Sequence, residues 1–140
     1  MSGPVLAVDV GSVRLGLAIS EAPELPAMPL ETLDHTSRAR DVRRIAEVAR
    51  ARGADTIVVG YPLRLDGTAG PAAQRIDKFI AELRAAFEGD VVQIDERLTT
   101  AAAATKLRAG ELTPSKRRKI VDRLAAVEIL ETYLASRRRE

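Results

Sequence analysis

The chain of 140 residues has no cysteine, no tryptophan, one histidine, two tyrosines and two phenylalanines. Without cysteine there is no disulfide framework, no thiol nucleophile and no thiolate-bound zinc. A single histidine, His35, excludes any two-histidine metal motif. No segment approaches the roughly 18 uninterrupted apolar residues that a membrane-spanning helix requires. The opening MSGPVLAVDV lacks a basic stretch followed by a long apolar one, so no secretory signal and no membrane partner is expected, and the expected compartment is cytoplasmic. The sequence also lacks G-x-G-x-x-G and G-x-x-x-x-G-K-[ST], which weakens two large nucleotide-binding classes.

What is present fits one domain over residues 1–140. A chain of this size buries roughly two-thirds of its unfolded surface and needs no covalent staple. Net charge is +2, but it is unevenly spread. Residues 97–140 hold 11 basic and 5 acidic side chains, against 11 and 15 in residues 1–96. A cationic C-terminal third beside a carboxylate-bearing body suits a protein that attracts a polyanion and also holds divalent metal. A solvated helix surface with a basic tail carries the same signature.

The pattern predicts an α/β fold. Strands are expected at Val5–Val10 and 14–19, joined as an antiparallel hairpin through Gly11-Ser12-Val13, with a short third strand at 30–33. Val42, Ile45, Ala46 and Ala49 recur at helical spacing over 37–52, with Ser37 as cap and Gly53 as stop. The β-branched run 56–59 suits a buried parallel strand. A turn-rich loop over 60–70, a helix over 71–87 and a strand at 91–94 follow. An alanine-rich helix over 99–108, a break at 110–115 and a last helix over 116–136 complete the chain. An antiparallel meander followed by βαβ crossovers implies a mixed sheet flanked by helices on both faces.

Three carboxylates stand where apolar residues are expected. Asp9 interrupts an otherwise apolar first strand, Glu96 follows the strand at 91–94, and Asp122 shares a helical row with Ala126, Ile129 and Tyr133. Each has an ordinary alternative: hairpin hydrogen bonds for Asp9, a helix dipole for Glu96, a buried salt bridge with Arg14 or Lys119 for Asp122. Together they form a different argument. Two ionised carboxylates about 4 Å apart repel by about 4 kcal/mol at an effective dielectric near 20. A cation must offset that repulsion, and an all-oxygen donor set selects Mg²⁺ or Mn²⁺. Such a site beside a basic patch suits metal-assisted phosphodiester cleavage.

Four blocks now carry a resemblance. Asp9-Val10-Gly11-Ser12-Val13-Arg14-Leu15-Gly16-Leu17-Ala18 is similar to the D-x-G-x-x-R-x-G-x-A strand pair of the YqgF/RuvX family. Gly60-Tyr61-Pro62-Leu63-Arg64-Leu65-Asp66-Gly67-Thr68 resembles its G-x-P-x-x-x-x-G-[ST] loop, and Asp95-Glu96-Arg97-Leu98-Thr99-Thr100 its D-E-R-x-[ST]-[ST] element. Lys119-Ile120-Val121-Asp122-Arg123-Leu124-Ala125-Ala126-Val127-Glu128-Ile129-Leu130 resembles its K-x-x-D-x-x-A-A-x-x-I-L helix.

The resemblance implies an RNase H-like five-stranded mixed sheet and a nuclease acting on structured nucleic acid, as a Holliday junction resolvase or a pre-rRNA nuclease. It carries the catalytic and metal-holding roles onto Asp9, Glu96 and Asp122, with two Mg²⁺ or Mn²⁺ ions and products ending in 5′-phosphate and 3′-hydroxyl. Arg14, Arg97, Lys116, Arg117, Arg118 and Lys119 are candidate contacts to RNA or DNA. The four residues 116–119 are basic at a helix start, where they oppose the dipole, and nucleic-acid phosphate would compensate for that cost. Tyr61 is a candidate for stacking on a base, and His35 stands isolated in the sequence. Val121, Leu124, Val127 and Leu130 would permit a homodimer contact. Two rivals remain: a non-catalytic nucleic-acid-binding scaffold, and a lobe of an actin-like kinase, for which 140 residues are too few to enclose nucleotide.

Overall fold

The structure, a computed structural model, describes residues 3–98 and 114–138, and the side chains within 3–97 and 124–138. Five strands are present: β1 (Val5–Val10), β2 (Arg14–Ser20), β3 (Met28–Asp34), β4 (Thr56–Tyr61) and β5 (Asp90–Asp95). They form one sheet in the order β3-β2-β1-β4-β5. β1 pairs antiparallel with β2 and parallel with β4, and β4 pairs parallel with β5. Among the described residues three α-helices flank it: α1 (Arg38–Ala51), α2 (Pro71–Ala86) and α3 (Pro114–Arg138). Among the described residues no helix is long and apolar enough to cross a membrane.

The sheet has two covered faces, and strand alternation sorts residues between them. Leu6 and Val8 of β1, with Ile57 and Val59 of β4, pack beneath Ile45 of α1 and Phe79 and Leu83 of α2. Val5 and Ala7, with Val58, pack beneath Ala126, Ile129, Leu130 and Leu134 of α3. Burial on both faces accounts for the near-continuous apolar runs of β1 and β4.

Local chemistry sets the connections. Gly11 donates its N–H to the Arg14 carbonyl at 2.9 Å, and a β-carbon at Gly11 would lie 2.5 Å from that oxygen, so the hairpin admits no side chain there. Ser37 caps α1 by accepting from the Arg40 amide at 3.2 Å, and Gly53 takes φ +71° beyond its end. Pro71 opens α2, where its fixed φ is already helical.

Several boundaries differ from the expected ones. β3 begins at Met28 and includes Pro29, which an edge strand tolerates because one side of its ladder is unpaired. β4 runs on to Tyr61 because Gly60 and Tyr61 pair with Ile94 and Asp95 of β5. α3 starts at Pro114, inside the expected break, since proline suits a first helical position. The expected helix over 99–108 lies outside the described residues. Leu130 is fully buried and Val127 packs against the same cluster. Those two members of the suggested dimer stripe are core residues.

If the sheet separates two independent layers, Ile45→Ala and Ile129→Ala should each cost about 2–5 kcal/mol. Their double variant should be additive to within about 0.5 kcal/mol in urea unfolding. Strong coupling would contradict the layering.

Candidate active site

Alternation along β1 continues from Val5 and Ala7 to Asp9, which therefore belongs to the α3 face. Asp9 is half-buried, at the strand's carboxyl end. Its antiparallel partner on β2 is Gly16. On the other side, the Val8–Val59 pairing extended by one residue brings Gly60 alongside. Neither neighbour offers a side chain to crowd the carboxylate.

Glu96 follows β5 in a short 3₁₀ turn, Glu96–Leu98. A β-carbon at Gly60 would overlap Glu96 Oε1 and lie 2.6 Å from Ile129 Cδ1 of α3. The Glu96 carboxyl thus occupies the space that the missing side chain of Gly60 leaves, on the same face as Asp9. Asp122 belongs to α3, one turn before Ala126, but its side chain lies outside the described ones, as do those of Lys116, Arg117, Arg118 and Lys119. Among the described residues no group of three histidine, cysteine, aspartate or glutamate side chains is gathered to hold a metal.

Asp95 and Glu96 are adjacent but do different things. Asp95 accepts from the Arg97 amide at 3.0 Å, and its carboxylate takes Nη2 of the same residue at 2.6 Å and Nε at 2.9 Å. That hydrogen-bonded guanidinium holds the Asp95 carboxyl below its ordinary range, and the pairing raises Arg97 in turn. Arg97, expected to contact phosphate, has this internal partner and also donates to the Leu65 carbonyl at 3.4 Å. It braces the loop between β4 and α2. Within that loop Asp66 accepts from the Thr68 hydroxyl at 2.7 Å and its amide at 2.9 Å, which lowers the Asp66 pKa. Leu65, at the tip, is 95% exposed. Arg14 is half-buried at the start of β2, opposite Asp34.

Two expectations change. Tyr61 is only 9% exposed at the end of β4 and is not presented for base stacking. Its hydroxyl bonds Asp77, which together with burial raises its pKa. His35 is not isolated. It pairs through Nδ1 with the buried carboxylate of Asp41. The missed signal was Asp41 itself, an acid in the first turn of α1 next to the buried Val42.

A five-stranded mixed sheet in this order, with acids at the carboxyl ends of β1 and β5, defines an RNase H-like α/β domain. RuvC from Thermus thermophilus in complex with Holliday junction substrate shares the fold at TM-score 0.60 and 18% identity, covering 98% of this chain and 96% of that one. The fowlpox virus Holliday junction resolvase matches at TM-score 0.59 and 16% identity, covering 95% and 99%. The chain belongs to the RuvX family, described as Holliday junction resolvase, whose model matches residues 3–136. A relative from Geobacillus kaustophilus, named "Putative pre-16S rRNA nuclease", is 42% identical over 95% of this chain and 98% of its own. One from Desulforudis audaxviator with the same name is 39% identical over 96% and 95%. By family the protein is a nuclease, a hydrolase.

Gly60→Ala should displace the Glu96 carboxyl and press on Ile129, with a stability loss of about 1–3 kcal/mol. Nuclease activity should fall further than that loss explains. Unchanged activity with an unchanged melting temperature would contradict the close packing.

Proposed function

We propose that the protein is a divalent-metal-dependent nuclease that hydrolyses phosphodiester bonds in structured precursor rRNA, with Asp9, Glu96 and Asp122 as its catalytic, metal-holding carboxylates. The observation that carries this reading is the placement of Asp9 and Glu96 on the α3 face beside side-chain-free Gly16 and Gly60. The acids on this face bring oxygen donors and no sulfur or imidazole ligand, a donor set that fits a hard cation of the Mg²⁺ or Mn²⁺ kind. Asp122 shares the helical spacing of Ala126 and Ile129, two residues that pack on that face. When bound, the ions, two in this reading, would acidify the attacking water and offset charge building on the phosphoryl and leaving oxygens.

The chain's own groups do the rest. The carboxylates keep fixed positions because β1 and β5 are held in one ladder through β4. Water adds to phosphorus as the bond to the 3′ oxygen breaks, leaving a 5′-phosphate and a 3′-hydroxyl. Arg14, Lys116, Arg117, Arg118 and Lys119 would contact substrate phosphates, and Arg97 would hold the loop at the entrance. The relatives of higher sequence identity are named for pre-16S rRNA, which favours RNA over a DNA junction. Junction resolution would further require two symmetric sites and hence a homodimer.

The test is cleavage of end-labelled precursor-like RNA and a four-way DNA junction in Mg²⁺, Mn²⁺ and EDTA. RNA cutting that needs metal is expected, and Asp9→Asn, Glu96→Gln and Asp122→Asn should each lower it at least about 100-fold with the melting temperature retained. Paired symmetric nicks in the junction with RNA left intact would replace the substrate. Wild-type rates in the variants would overturn the site.

A further inference from the structure

His35 lies between β3 and α1, and Asp41 beneath it is 2% exposed. The Asp41 carboxylate meets His35 Nδ1 and also accepts from the Thr36 amide at 3.2 Å and hydroxyl at 3.4 Å. An ionised carboxylate only accepts, so Nδ1 carries the proton that the ring donates to it. The tautomer and ring orientation are thereby set, and Nε2 is the nitrogen left for another partner.

His35, Asp41, Arg38 and Arg75 line a cavity of about 500 Å³, and Glu96 is part of its wall. Ile76 and Phe79 supply an apolar surface inside it. Arg38 shares its charge with Glu82 through a 2.9 Å ion pair between half-exposed side chains. Arg75 makes no ion pair among the described residues. An apolar surface with an oriented imidazole and two guanidinium groups suits one nucleotide unit, sugar and base against carbon, phosphate against the cations. Ile76 and Phe79 belong to the sheet face opposite α3, but Val10, Gly11, Ser12 and Glu96 also border the cavity, which therefore adjoins the carboxyl ends of β1 and β5; a strand crossing those ends from the carboxylates would put its neighbouring nucleotide there.

We propose that this cavity binds the phosphodiester of a nucleotide flanking the cleaved bond, with His35, Arg38 and Arg75 as its contacts and Asp41 as the residue that positions His35. The ligand class rests on the nuclease reading. The cavity and its residues do not.

The single histidine gives one imidazole in a ¹⁵N–¹H spectrum, so the contact is read directly. The full chain is titrated with a short RNA oligonucleotide in Ca²⁺, product analysis confirming that the RNA stays intact. The free protein should show the Nδ1–H tautomer, and His35 should shift saturably as RNA is added. Arg75→Gln should weaken that binding about tenfold, as loss of one charge-assisted contact does. Asp41→Asn should lose the fixed tautomer and reduce the shift. A His35 resonance unmoved at the highest RNA concentration, or an Arg75→Gln protein binding as wild type does, overturns the proposal. Metal-dependent cutting by that same protein would leave the nuclease reading standing, so the two failures are told apart.

Discussion

Carboxylates gathered on one face of a sheet repel one another and need both space and a fixed backbone, and much of this molecule supplies those two things. Space comes from glycine. Gly16 is the cross-strand partner of Asp9, and Gly60 leaves the gap that the Glu96 carboxyl fills against Ile129. Fixity comes from the sheet order. β4 lies between β1 and β5, so the strand that carries Asp9 and the strand that leads into Glu96 share one sheet and cannot slide without breaking its ladders. A one-residue slip of β1 would turn Asp9 to the opposite face.

The end of β5 shows how neighbouring acids are given separate tasks. Successive side chains leave a strand on opposite sides. Glu96 turns to the α3 face, while Asp95 turns to Arg97 and lies below its ordinary carboxyl range because that guanidinium bonds it. Arg97 then reaches the carbonyl of Leu65, tying the loop after β4 to the turn that carries Glu96. The D-E-R element is thus one candidate catalytic acid between two residues that hold its backbone and the adjoining loop.

Features set by local chemistry were legible in the sequence. The β1–β2 hairpin, the Ser37 cap and the Gly53 stop depend on residues a few positions apart, and the continuous apolar run of β1 already marked Asp9 as out of place. Features set by distant partners were not. The length of β4 is decided by its pairing with β5, and the tolerance of Pro29 by the position of β3 at the sheet edge. Tyr61 reads as a loop aromatic until that ladder buries it. His35 reads as a lone polar residue because its partner is buried by the docking of α1, which no local pattern displays. Asp41 lay on the same buried row as Val42 and Ile45 and needed a donor, and Thr36 and His35 just upstream were the available ones.

In the proposed site, acids from β1, the end of β5 and α3 share divalent cations on the α3 face. Anomalous scattering from a crystal of the full chain grown with Mn²⁺ would locate the ions and their ligands. Mn²⁺ peaks bound by carboxylate oxygens of Asp9, Glu96 and Asp122 are expected on that face. Mn²⁺ bound elsewhere, or an Asp122 side chain turned away from Asp9 and Glu96 at saturating Mn²⁺, would contradict it.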